Sequence, residues 1–214
     1  MHRLLERYLK DETPISTLII LYSMEFNALP WDGCPSQKIR ASYFKKGFDF
    51  LMMLSKTPDY LKQFEVIGVE QKAKFEVDGY KFVGFIDVVG KDDDGYIIMD
   101  HKSKDLKPRS KRKRPTKTDL ELDDYLRQLY LYSTWVKDRC GEFPKKLMFN
   151  CFKEGKIICE EFNYEKYLEA IEWYIRSIHS IEREENFYPS IDYFRCHNLC
   201  GCSEDCEYFD METW

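Results

Sequence analysis

The sequence predicts an α/β (α+β) fold, with a central mixed β-sheet flanked by helices and a cysteine-rich tail. Three observations predict it. Helical spacing of apolar residues dominates the first 63 residues. From Phe64 the period shortens to that of strands, punctuated by Asp-Gly pairs. Two long helical patterns then return, with two short apolar strands between them. With 214 residues, 43% of them hydrophobic and 16% aromatic, the chain can fill one sizeable core. Three regions follow from this pattern. They are a helical region 1–63, a strand-rich core 64–185, and a cysteine-rich tail 186–214.

Residues 1–10 read as a first helix. Thr13-Pro14 supplies a cap and a first-turn proline for a second, ending near Ala28. Its run Leu18-Ile19-Ile20-Leu21-Tyr22 would also suit a strand. Ser36 caps a third helix to about Leu54, whose apolar face carries Tyr43, Phe44, Phe48, Leu51 and Met52. Thr57-Pro58 restarts a short helix. Strands follow at Val66–Glu70 and Ala73–Val77. An Asp78-Gly79 turn leads into Tyr80–Val89, and the turn Lys91–Gly95 into Tyr96–Lys102. A helix from Asp119 to about Lys137 buries Leu122, Leu126, Leu129, Ser133 and Val136. Leu147–Phe152 and Ile157–Phe162 are two more strands. A last long helix, Tyr164 to about Glu185, points Tyr167, Leu168, Ile171, Tyr174, Ile175, Ile178 and Ile181 at the core.

The stretch from Gly84 to Lys102 concentrates the chemistry. An acid two residues before a lysine is common here, occurring at Glu70/Lys72, Asp100/Lys102, Asp105/Lys107 and Glu154/Lys156. A surface ion pair explains most such triplets. Asp100/Lys102 differs because it ends the apolar run Tyr96-Ile97-Ile98-Met99, and a buried strand rarely ends in charge without a partner or a use. Alternation places Asp100 and Lys102 on one face and His101 on the other. Asp87 closes the apolar run of the partner strand. Two carboxylates and an ammonium on adjacent strands can share one metal ion and one phosphate. Glu70 either adds a third acid or pairs with Lys72 or Lys74. Gln128 and Tyr132 lie on a stripe beside the buried one, where they either border the site or sit at the core rim. His179 reads as structural.

Charge is unevenly placed. Residues 102–117 carry nine Lys or Arg and one acid, whereas the whole chain has a net charge of −5. The cations Lys104, Lys107, Arg109, Lys111, Arg112, Lys113, Arg114 and Lys117 form one focused basic loop attached to the Asp100/Lys102 strand. Phosphates are the expected contact, and a nuclear-localisation signal is the weaker reading. There is no secretory signal and no apolar run of membrane length, so a cytoplasmic protein without a membrane partner is expected.

Eight cysteines without a secretory signal argue for metal, a cluster or burial rather than disulfides. Cys196, Cys200, Cys202 and Cys206 fall within eleven residues, a density that suits zinc or an iron–sulfur cluster. Cys140, Cys151 and Cys159 read as buried.

Taken together, Glu70, Gly84-Phe85-Ile86-Asp87, Asp100-His101-Lys102 and Gln128-Leu129-Tyr130-Leu131-Tyr132 resemble the PD-(D/E)XK nuclease superfamily, in its RecB-like branch and related phage-encoded nucleases. The resemblance covers about residues 36–206. It implies a restriction-endonuclease-like core and a nuclease, with an exonuclease favoured, acting in DNA recombination, repair or phage DNA processing. It implies Mg²⁺ or Mn²⁺ held by Asp87, Asp100, Glu70 and the His101 carbonyl, Lys102 at the scissile phosphate, and Gln128 and Tyr132 steadying the strand or the lysine. It makes DNA, as single strands or ends, the partner, with a recombination or replication protein as a second, in a bacterial or phage-infected cell. Some members hold a [4Fe–4S] cluster on one upstream and three C-terminal cysteines, which here resemble Cys34, Cys196, Cys200 and Cys206, and this implies that the tail 186–214 packs on the N-terminal region. The spacing departs from that pattern and Cys202 is extra, so zinc remains the alternative. RecB-like members often carry a metal-binding histidine on the helix before the first strand. The helix around Gly47–Leu51 has none, and His2 lies far upstream. Two other classes stay open. One is a nuclease-like module that binds nucleic acid or a partner without cutting. The other is a zinc-stabilised interaction protein.

Overall fold

The computed structural model describes residues 1–30, 36–202 and 205–209. Three helices, α1 (His2–Leu9), α2 (Ile15–Ala28) and α3 (Gln37–Lys56), precede a short 3-10 turn, Pro58–Leu61. Strands β1 (Glu65–Val77), β2 (Tyr80–Asp92) and β3 (Gly95–Lys102) follow. Then come α4 (Lys117–Cys140), β4 (Lys146–Cys151), β5 (Lys156–Glu161), α5 (Tyr164–Arg183) and the short α6 (Tyr193–Asn198). The Leu18–Tyr22 run is helical and buries Leu18 and Tyr22, so the strand alternative falls.

The strands form one sheet in the order β1-β2-β3-β4-β5. Every pairing is antiparallel except β3–β4, which is parallel. Parallel neighbours need a long crossover, and α4 supplies it. The sheet is therefore mixed, as predicted.

Both faces of the sheet are covered. On one, Leu4, Leu5, Leu18, Leu51 and Leu54 from α1–α3 pack on Val88, Ile97, Met99 and Met148. On the other, Leu122, Leu126, Leu129 and Val136 of α4 pack on Ile86, Ile98, Leu147 and Phe149. Successive residues of β3 thus enter opposite cores, which explains its unbroken apolar run.

Three local results differ from the sequence reading. The two strands expected at 66–70 and 73–77 are one, because β1 continues through Glu70. It does so with a register shift between Val66 and Gly68 and a left-handed backbone at Glu70 (φ 50°). The α5 stripe is only half-buried. Leu168 and Ile181, toward the two ends of the helix, are exposed, and Ala170 is its buried residue. Cys151 is buried as expected, but Cys159 is exposed, since β5 is an edge strand.

Turn and cap chemistry follow the sequence closely. Asp78 and Gly79 both have positive φ (51° and 81°), the two-residue hairpin geometry that suits twisted strands. Thr116 and Asp119 exchange hydrogen bonds in a capping box that opens α4, and Gly141 ends it in the left-handed conformation (φ 86°). Among the described residues, no helix is long and apolar enough to cross a membrane.

Candidate active site

The site lies where two strands part. The pairing of β2 with β3 ends at Val88 and Met99, and β3 goes on pairing only with β4, up to Lys102 opposite Cys151. The first residues beyond the fork are Asp87 and Asp100. The backbone N–H of His101 closes it, donating to Asp87 Oδ2 at 2.6 Å. Both carboxylates are buried, at 9% and 7% exposure. Two buried acids this close need cationic partners.

Lys102 is one. Its ammonium lies 2.8 Å from Asp100 Oδ2 and donates to Gln128 Oε1 at 3.0 Å. It also lies 5.4 Å from the Tyr125 ring centroid, a cation–π contact that holds the stem. Gln128 Nε2 in turn donates to the Tyr132 hydroxyl at 3.3 Å. Tyr132 fits because residue 84 is glycine. A Cβ on Gly84 would stand 2.6 Å from the Tyr132 hydroxyl oxygen. The motif residues from Gly84 to Tyr132 are therefore one connected arrangement, in which α4 fixes the lysine against the fork.

The second cation comes from α1. His2 Nδ1 stands 3.4 Å from Asp87 Oδ2, and ligand atoms of His2, Glu70 and Asp87 all lie within 4.8 Å of one another. Among the described residues this is the one such group of His, Cys, Asp and Glu. α3 carries no histidine, and α1 brings His2 to Glu70 and Asp87 instead. Leu4, Leu5, Tyr8 and Leu9 bury the helix against the core and bring His2 over β2. Glu70 makes no ion pair with Lys72 or Lys74. It faces Asp87 across the hairpin, and its positive φ is the kind of local strain that clusters at functional sites.

The electrostatics divide the carboxylates. Burial pushes Asp87 up, but the His2 and His101 N–H hydrogen bonds outweigh it and hold its pKa below the ordinary value. Burial lifts Asp100 to about 6, with the Asp87 charge adding to the rise and Lys102 opposing it. Glu70 is raised by burial and by the Asp87 charge. His2 is raised, chiefly by its bond to Asp87. The His101 ring points away from Asp100 and Lys102, as alternation requires, and lies edge-on to the His2 ring, 5.8 Å between centroids. Asn150 sits at its Nδ1 (3.0 Å), and full burial lowers it to about 4, so it stays neutral.

The donor set fits a hard divalent cation. Carboxylate oxygens and one imidazole nitrogen converge from three elements. Among the described residues, Asp100 Oδ2 has no aligned hydrogen-bond donor and meets only the off-line Lys102 ammonium. A cation at the fork would offset the burial, and the Asp87 charge, that raise Asp100 and Glu70. Replacing His2 with alanine is expected to weaken Mn²⁺ binding at least tenfold, because a ligand and a partner of Asp87 are lost together. Isothermal titration calorimetry measures this, and unchanged affinity would remove His2 from the site.

The basic loop is less free than its composition suggests. Lys104 pairs with Glu121 and Lys107 with Asp105. Arg109 bonds Asp123 at 2.7 Å and Glu160 at 2.6 Å, while Ser110 bonds Asp119. These three cations, expected on phosphates, are engaged by the chain's own acids on α4, on β5 and in the loop, and Leu106 anchors the segment in the core. Lys111, Arg112, Lys113, Arg114 and Lys117 remain exposed. In the tail, Cys196 and Cys200 are half-buried, whereas Cys202 and Cys206 are exposed. Cys34 lies outside the described residues.

No curated protein matches. Among solved structures, the chain is similar to the crystal structure of a "Putative exonuclease" from Eubacterium rectale. The two share 16% identity and a TM-score of 0.47, over 94% of this chain and 80% of that one. The family model of the PD-(D/E)XK nuclease superfamily matches residues 1–208, a span that takes in His2 as well as the fork. With that match over nearly the whole chain, the protein belongs to the PD-(D/E)XK nuclease superfamily.

Proposed function

We propose that the protein is a divalent-metal-dependent deoxyribonuclease of the RecB-like kind, an exonuclease acting on DNA ends or single strands in the cytoplasm. One observation carries this reading. The fork gathers the buried Asp87 and Asp100 with the half-buried Lys102 and Glu70 and with His2 at its exposed rim.

Asp87, Glu70 and His2 would hold Mg²⁺ or Mn²⁺, with Asp100 and the His101 carbonyl adjoining. The bound cation supplies Lewis acidity toward the phosphoryl group and acidifies water. The chain's own residues do the rest. Lys102, steered by Gln128, places its ammonium beside the buried edge of Asp100, where it can donate to a phosphoryl oxygen as negative charge develops. Neutral His101 keeps added charge out of the fork, while its N–H fixes the Asp87 rotamer. Tyr132 and Gly84 hold Gln128 in line. Cleavage of end-labelled single- and double-stranded DNA with Mg²⁺, Mn²⁺ or EDTA tests the reading, and the product ladder shows whether cutting starts at ends. Retained DNA binding without cutting would favour the non-catalytic module.

The finer reading of the tail is a [4Fe–4S] cluster on Cys34, Cys196, Cys200 and Cys206, with zinc as the alternative and Cys202 as the substitute ligand. Protein purified without oxygen is expected to contain iron. Cys206→Ala is expected to lose that iron and melt lower, with Mn²⁺ binding at the fork unchanged. Equal melting of variant and wild type would contradict a structural cluster.

A further inference from the structure

The β1–β2 hairpin runs well past the rest of the sheet. β2 pairs with β3 only from Val88 to Asp92, so Tyr80–Asp87 of β2 and the matching part of β1 form a two-stranded ribbon beyond the fork. One face of this ribbon is covered. Ala73, Phe75, Phe82 and Ile86 pack toward α4 and α5, and Gly84 meets Tyr132. The other face begins with Glu70 and Asp87 and continues through the cross-strand pairs Lys72–Phe85, Lys74–Val83 and Glu76–Lys81.

That second face carries an unusual combination. Phe85 is 54% exposed and Val83 67%, on a ribbon whose reverse side is packed. Lys72, Lys74 and Lys81 are exposed, and among the described residues none makes an ion pair, unlike Lys104, Lys107 and Arg109 of the basic loop. Same-face neighbours on a strand stand about 6–7 Å apart, so Phe85 lies one such step from Asp87. An aromatic ring bordered by unneutralised lysines is the chemistry that binds single-stranded nucleic acid. The bases stack on the ring and the phosphates meet the cations.

We propose that this exposed face of the β1–β2 hairpin is a track for single-stranded DNA, with Phe85 as the stacking platform next to the fork and Lys72, Lys74 and Lys81 on the backbone phosphates. The assignment rests on the nuclease reading for its direction, since the track delivers a strand to Asp87 and Asp100. It also replaces the basic loop as the surface that guides the strand in.

The test is fluorescence anisotropy of a labelled single-stranded oligonucleotide on the full chain in EDTA, across a salt series. Phe85→Ala is expected to weaken binding about tenfold or more, and Phe85→Tyr to restore it. Lys72→Gln with Lys74→Gln is expected to lower the slope of log Kd against log salt by roughly 0.7 per lysine. Blunt duplex should bind with little dependence on Phe85. Unchanged affinity and slope in these variants would overturn the track, as would a loss of binding confined to Lys113→Gln and Arg114→Gln. The two readings fail separately. Phe85-dependent binding without Mg²⁺-dependent cutting keeps the track and removes the nuclease. Cutting by a protein whose binding ignores Phe85 does the reverse.

Discussion

Asp100→Asn is expected to abolish phosphodiester cleavage and, in the same protein, to raise the melting temperature of the metal-free form above pH 6. The carboxylate is buried beside Asp87, and its folded pKa is about 6, well above the ordinary carboxylate value. Folding therefore takes up a proton between those two values. Stability from this group is fully present at low pH and declines as pH rises to about 6, above which the ionised Asp100 is a standing cost. Two pKa units correspond to roughly 3 kcal/mol. The loss of the Lys102 contact in the variant takes back part of the gain. A rise of roughly 2–6 °C at pH 8 follows for a chain of this size, with no rise near pH 4. Mg²⁺ should stabilise wild type more than the variant, because binding to the folded state alone shifts the equilibrium. Calorimetric melts at the two pH values, with and without Mg²⁺, measure all three effects. A variant that melts below wild type at pH 8 would show that Asp100 supports the fold rather than the chemistry.

Gly84→Val is expected to cost both stability and turnover although residue 84 touches no substrate in this account. Its side chain would enter the space of the Tyr132 ring, whose hydroxyl would lie 2.6 Å from the new Cβ. Overpacking of this kind typically costs about 1–3 kcal/mol. The ring must move, the Gln128–Tyr132 hydrogen bond breaks, and the lysine loses the support that orients it. A fall in kcat of at least tenfold is expected, with KM for a short substrate little changed. Adding Tyr132→Ala should recover stability by making room, but not kcat, so the two substitutions combine non-additively. Urea denaturation and steady-state kinetics on the single and double variants check this. Full recovery of kcat in the double variant would mean that Tyr132 does not support Lys102.

Much of the site could be read along the chain because its parts are local. Asp87, Asp100 and Lys102 end apolar strands joined by a short turn, and Gln128 and Tyr132 share a helix stripe at a spacing that survives folding. The hairpin turn at Asp78-Gly79 was legible for the same reason. What was not legible depends on distant packing. His2 reaches Asp87 only because Leu4, Leu5 and Leu9 dock α1 on the sheet. The sequence shows a helix over residues 1–10, but not the place on the sheet where that helix docks. Arg109 looked like a phosphate contact because Asp123 and Glu160 lie far away in sequence. The whole α5 stripe looked like core because periodicity reports a stripe and not how completely the rest of the chain covers it. The left-handed turn at Glu70 had no glycine to announce it.

The most direct test of the central claim is a Mn²⁺ titration by calorimetry on wild type and Asp87→Asn, with DNA cleavage measured on the same samples. The account predicts a saturable Mn²⁺ site in wild type that is lost, together with cleavage, when Asp87 is replaced. Cleavage that persists in EDTA, or undiminished Mn²⁺ binding in Asp87→Asn, would contradict the assignment of the fork as a metal-dependent nuclease centre.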